Sequence, residues 1–146
     1  MSRLQFLFTL ALMPLAAAAA ARGSAAPITN PCKLLTQTEV STALGARFGA
    51  GQLTNTGAGL RCRFLTASGE EVFIDVVDPA LFDAYAHAAD ATLTGIGDKA
   101  LWEHSEYGSY LYILKSGNLV TLGLPRTVAR LTPALVKTGK LIAKRM

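Results

Sequence analysis

Several groups of residues carry side chains capable of chemistry. Asp83, His87 and Asp90 fall at spacings of four and three, so on a helix they share one face and could offer three ligands to a metal ion. No fourth ligand accompanies them, and the same pattern equally describes an exposed histidine between two carboxylates. Glu103, His104 and Ser105 set an acid, a base and a hydroxyl side by side. Neighbours on a strand point to opposite faces, so a working triad would need a partner supplied by the fold. An enzyme built from this chain would have to converge Asp98, Glu103, His104 and Ser109 in one concave pocket. Gly95-x-Gly97 before Asp98-Lys99-Ala100 has the look of a phosphate loop, but the third glycine is missing. The run that follows reads as a strand, which offers no aligned helix amides, so this is a tight turn. Gly-x-Ser-x-Gly, His-Glu-x-x-His and Walker sequences are absent. The residues therefore assign no catalytic group, no metal and no cofactor.

Positioning these groups falls to a short list of elements. Thr36-Gln37-Thr38-Glu39 fits a capping box, Val40, Ala43 and Leu44 supply an apolar stripe, and Gly45 stops the helix. Residues 46–60 are glycine-rich and read as a loop with one short strand near 51–55. Residues 61–66 and 71–77 read as a hairpin about Ala67-Ser68-Gly69-Glu70, in a register that places Phe64 opposite Phe73. Asp78-Pro79 starts a helix expected to run to about residue 91, burying Leu81, Phe82, Tyr85 and Ala89. Strands follow at 100–104, 109–115 and 119–124, and the two-faced apolar run at 110–114 marks the middle of the sheet. Residues 127–146 read as an amphipathic helix that Pro133 either starts, after a Thr132 cap, or kinks. The order α-ββ-α-βββ-α with hairpin-length connections predicts one α+β domain over residues 31–146, a single antiparallel sheet with helices packed against it.

Arg3 followed by an uncharged stretch of about 18 residues ending in alanines reads as a signal peptide over residues 1–21, with cleavage there or as late as 26. Residues 22–30, with two prolines counting the Pro31 that follows, read as a flexible tether. The 51% hydrophobic content and positive mean hydropathy owe much to the removed segment, so the processed chain is not expected to be an integral membrane protein. Cys32 follows Asn30-Pro31, which is not a lipid-attachment context. In the periplasm or outside the cell two cysteines in a small domain pair by default, so a Cys32–Cys62 disulfide outweighs a free thiolate nucleophile.

Charge and aromatics supply the candidate surfaces. Between Glu70 and Glu106 there are nine acids against Lys99 alone, whereas beyond Tyr107 there are seven cations and no acid. Lys137, Lys140 and Lys144 share one helical face and could meet an anionic envelope component or an acidic protein. The plainer reading, which outweighs it, is a solvated face with some cations paired to the acidic middle of the domain. Trp102, Tyr107, Tyr110 and Tyr112 form the second candidate, an aromatic surface or, more simply, core. Nucleic acid is not expected, since export argues against it and no aromatics interleave the lysines.

Pro31-Cys32-x-Leu34-Leu35-Thr36-x-x-Glu39-Val40-x-x-x-Leu44-Gly45, then Arg61-Cys62-Arg63-Phe64, then Gly95-Ile96-Gly97-Asp98-x-Ala100, resembles small exported bacterial proteins and lipoproteins of unknown function. The resemblance spans most of the processed chain. It implies a paired second cysteine and no catalytic residue, and many such relatives carry a lipid-attachment cysteine that this chain lacks. The expected function is an exported, non-catalytic module that binds a partner in the envelope or outside the cell. The rivals are a small hydrolase-like enzyme whose site forms only in the fold, and association with an anionic membrane or polymer through the basic last helix.

Overall fold

A computed structural model describes residues 26–146, so the segment read as a signal peptide lies outside the described residues. Of the segment read as a tether, residues 26–30 are placed and are held to the domain. Ile28 packs on the core, the Asn118 amide donates to the Ala26 carbonyl, and Asn30 caps a 3₁₀ turn over Pro31–Lys33.

Helix α1 (Gln37–Leu44) has both arms of its capping box: Glu39 N–H donates to Thr36 Oγ1 and Thr36 N–H to the Glu39 carboxylate. It ends at Gly45 in the left-handed region. Strands β1 (Gln52–Asn55), β2 (Leu60–Leu65) and β3 (Glu71–Val77) form an antiparallel meander. A second 3₁₀ turn (Pro79–Leu81), capped by Asp78, leads into helix α2 (Phe82–Ala86). Strands β4 (Ala91–Leu93), β5 (Lys99–Ser105), β6 (Gly108–Lys115) and β7 (Asn118–Leu124) form a second meander. Pairing of β3 with β7 joins the two into one seven-stranded antiparallel sheet ordered β1-β2-β3-β7-β6-β5-β4. Helix α3 (Pro133–Arg145) closes the chain. Thr132 caps it, with its hydroxyl accepting from Leu135 N–H, so Pro133 starts the helix and does not kink it.

The α+β class, the single antiparallel sheet and the disulfide follow the sequence reading, and three details depart from it. The helix after Asp78 stops at Ala86 instead of reaching 91, which frees Ala91–Leu93 to pair with β5 as an edge strand, and Leu81, expected in the buried stripe, lies exposed in the 3₁₀ turn before it. The centre of the sheet is β7, with β6 beside it. Phe64 pairs with Val72, not Phe73. Thr66 N–H donates to the Glu70 carbonyl and Gly69 sits at φ 87°, giving a three-residue loop where a four-residue one was expected. A shift of one residue moves a side chain to the other face, so Phe73 leaves the face of Phe64 and packs flat over Gly123, where a Cβ would lie 2.1 Å from the ring.

The two faces bury separate clusters. On one, α1 and α3 cover Cys62, Phe64, Val72, Ile74, Trp102, Leu111, Ile113, Val120 and Leu122, all buried. Gly139 lets α3 approach closely, since a Cβ there would stand 2.8 Å from Leu111 Cδ2. Lys115 on β6 anchors the far end of α3 by donating to the Ala143 carbonyl. On the other face, α2 covers a smaller cluster of Phe82, Leu101, Tyr112 and Leu119.

The Cys32–Cys62 disulfide fastens the turn before α1 to strand β2 across 30 residues of sequence. Closing a loop of that length stabilises by about 3 to 4 kcal/mol on the chain-entropy argument. Replacing both cysteines with serine should lower the free energy of urea unfolding by about that amount. An unchanged midpoint would show that α1 does not depend on the bond.

Candidate functional site

The chemistry-bearing residues are largely occupied with holding the fold. Pairing of β5 with β6 sets His104 opposite Ser109, and the Ser109 hydroxyl lies 2.7 Å from His104 Nδ1. The fold thus supplies the partner that adjacent residues could not. Ser109 is fully buried, however, and its hydroxyl donates to the Val128 carbonyl. A carbonyl only accepts, so the hydroxyl proton is committed there and His104 Nδ1–H must donate to Ser109 Oγ. A histidine in that tautomer is not a base toward this serine. The arrangement ties the 125–131 connection to the sheet.

Glu103 points to the opposite face and accepts from the Tyr112 hydroxyl at 2.8 Å. Burial, reinforced by that carboxylate, pushes the Tyr112 hydroxyl far up from its ordinary pKa. Asp98 accepts from Ser116 N–H in the turn after β6, and Asp90 accepts from His104 N–H. Helix α2 ends before His87, so Asp83, His87 and Asp90 do not sit on one helical face. Among the described residues no three His, Cys, Asp or Glu side chains converge as a metal site. Gly95 and Gly97, both at positive φ, make the turn into β5.

The four aromatics do not form one surface. Strand alternation turns Trp102 into the main core at 6% exposure, and Tyr107 stands alone in the β5–β6 turn. Tyr110 and Tyr112 share the α2 face with Phe73 and Tyr85, which the sequence reading did not connect to them. Tyr85 stacks on Tyr112 at 4.3 Å between centroids, and the Arg61 guanidinium lies 3.9 Å over Phe73 while gripping Asp75 through two bonds of 2.7 Å. Each ring is thus lidded by a neighbour, and the row works as a second packed layer. Two buried polar atoms on this face, Arg63 Nε and Thr121 Oγ1, have no partner.

The lysines fare differently. Lys137, Lys140 and Lys144 are all exposed on α3, and none has a carboxylate within 4.0 Å among the described residues. The acidic stretch that could have neutralised them lies elsewhere: Asp78, Asp83 and Asp90 accompany α2, on the other side of the sheet from α3. Glu71 and Asp75 are taken by Arg61 and Arg63. The charge division along the chain therefore becomes a division across the domain.

Beside this row, α1 and α3 are braced at one end. Arg145 donates to both oxygens of Glu39 at 2.7 Å and also to the Leu34 carbonyl at 3.0 Å. Arg145 above all holds the Glu39 carboxyl down to about 2 from an ordinary 4.5, against the opposing effect of burial and with lesser help from the Thr36 amide.

Comparison with protein-family models, curated proteins and solved structures finds no match to this chain.

Because the folded pKa of Glu39 is depressed, its contribution to stability is complete above pH 4.5 and is lost as the pH falls from there toward 2. Glu39→Gln should be less stable than the parent at neutral pH, and the two urea midpoints should converge on acidification through that interval. A constant gap down to pH 2 would show that the brace does not act through the carboxylate charge.

Proposed function

We propose that the protein is an exported, non-catalytic binding module that holds an anionic partner at Lys137, Lys140 and Lys144. The carrying observation is the unneutralised lysine row, separated by the sheet from the acidic part of the same chain. From Lys137 to Lys144 the helix rises by about 10 Å, so the charges form a short line along its surface. Lysine ammonium groups act as mobile point charges and do not impose bidentate geometry, which suits a surface contact. Leu135, Ile142 and Ala143, the main apolar side of α3, are buried in the core and not offered to a bilayer. No helix among the described residues is long and apolar enough to cross a membrane.

Export is supported by the order of charge and apolar residues before position 22 and by the disulfide, a bond that persists in oxidising compartments. The non-catalytic reading is supported by the engagement of Ser109, Glu103, Asp98 and Asp90 in structural bonds.

The test is sedimentation of the exported protein with vesicles of equal parts phosphatidylglycerol and phosphatidylcholine. Binding should fall with added salt, and Lys137→Gln, Lys140→Gln and Lys144→Gln together should weaken it about 100-fold, at about 1 kcal/mol per lysine near an anionic surface. Binding that ignores both salt and these substitutions sinks the proposal.

A further inference from the structure

Lys137, the first lysine of the row, also lines a furrow. Helices α1 and α3 run side by side on the sheet, and where they face each other they present small side chains: Thr42 and Ala43 from one, Ala134 and Thr138 from the other. Such side chains cannot fill the space between two helices, and a furrow of about 380 Å³ remains open to solvent. Leu141 adds apolar wall, and the lining is predominantly apolar. Ala43 also lines an adjoining cleft, together with Leu44, Arg130 and Leu135.

The charges around this furrow are mainly positive. Lys137 stands in its wall, Lys140 and Lys144 continue along the same helix, and Arg130 lines the adjoining cleft. The single acid in the lining, Glu39, is neutralised by its two bonds to Arg145. An apolar trough exposed to water gains by being covered, at about 25 cal/mol per Å² of apolar surface removed from solvent. What covers it must carry negative charge at its edge.

We propose that the furrow takes the alkyl chain of an anionic amphiphile, a carboxylate or phosphate on a single hydrocarbon tail, with the head group held by Lys137 and its neighbours. The furrow, at about 380 Å³, holds less than one turn of an α-helix, which with its side chains is about 10–12 Å across and rises about 5.4 Å per turn, so a single alkyl chain suits it better. Apolar floor and cationic rim together select the occupant: a cationic amphiphile meets the rim, and an inorganic anion leaves the floor bare. The assignment rests on the lysine row being an anion-binding surface and adds the apolar half of the ligand.

Titration calorimetry with laurate below its micelle concentration tests this on the exported protein. Laurate should bind, while dodecyltrimethylammonium and inorganic phosphate should bind at least 10-fold more weakly. Thr42→Trp fills the furrow from an exposed position and should cut laurate affinity at least 10-fold, yet leave sedimentation with anionic vesicles within twofold. Thr38→Trp, at the other exposed position of the same wall, serves if the first variant fails to fold, as judged by thermal melting. Absence of laurate binding, equal binding of the cationic amphiphile, or indifference to both tryptophans overturns the furrow assignment. If the triple lysine variant keeps its vesicle binding, the lysine surface itself is wrong, and that result is read independently of the tryptophans.

Discussion

The pairing of β3 with β7 is the contact on which the rest of the molecule depends. Each meander alone is a three- or four-stranded sheet with half-formed faces, and neither could bury what it presents. Joined through Phe73–Gly123, Ile74–Leu122 and Val76–Val120, they make a continuous floor wide enough for α1 and α3 to lie together on one side. The same junction forces Phe73 onto Gly123, because the residue across from that ring must have no side chain. A long-range pairing thus decides where both terminal helices meet, and with them the lysine row and its furrow.

Local signals were legible where one residue type can do the job. Thr36 with Glu39, Gly45, Asp78 with Pro79, and Thr132 with Pro133 all mark the ends that they mark in the structure. The disulfide was legible from two cysteines and an export context. Register was not: whether three or four residues turn between β2 and β3 depends on Gly69 taking a left-handed conformation, and either loop suits the composition. Nor was the early end of α2 legible, since Ala86, Ala88 and Ala89 are good helix formers, and the sheet wins residues 91–93 by tertiary pairing.

The candidate site was legible only in part, for a related reason. The sequence ranks Lys137, Lys140 and Lys144 as a plain solvated face because cations are favoured near a helix's carbonyl end and acids earlier in the chain could pair with some of them. Availability in sequence is not proximity, and the sheet keeps the two sets apart. Conversely, His104 and Ser109 come together only through the β5–β6 register, and their burial and shared bond to Val128 turn an apparent dyad into a fastening. The furrow gives no linear signal, because its walls come from residues nearly a hundred positions apart.

Lys115 reaches from β6 to the Ala143 carbonyl, and this has a bearing on the surface of α3. The carbonyl end of a helix attracts cations, which ordinarily accounts for basic residues in a last turn. Here that end is served by a residue from the sheet, while Arg145 is committed to α1. Lys144 is therefore not the cation bonded to the Ala143 carbonyl. Its ammonium, and those of Lys137 and Lys140, constitute unspent charge that the fold supplies but does not itself consume.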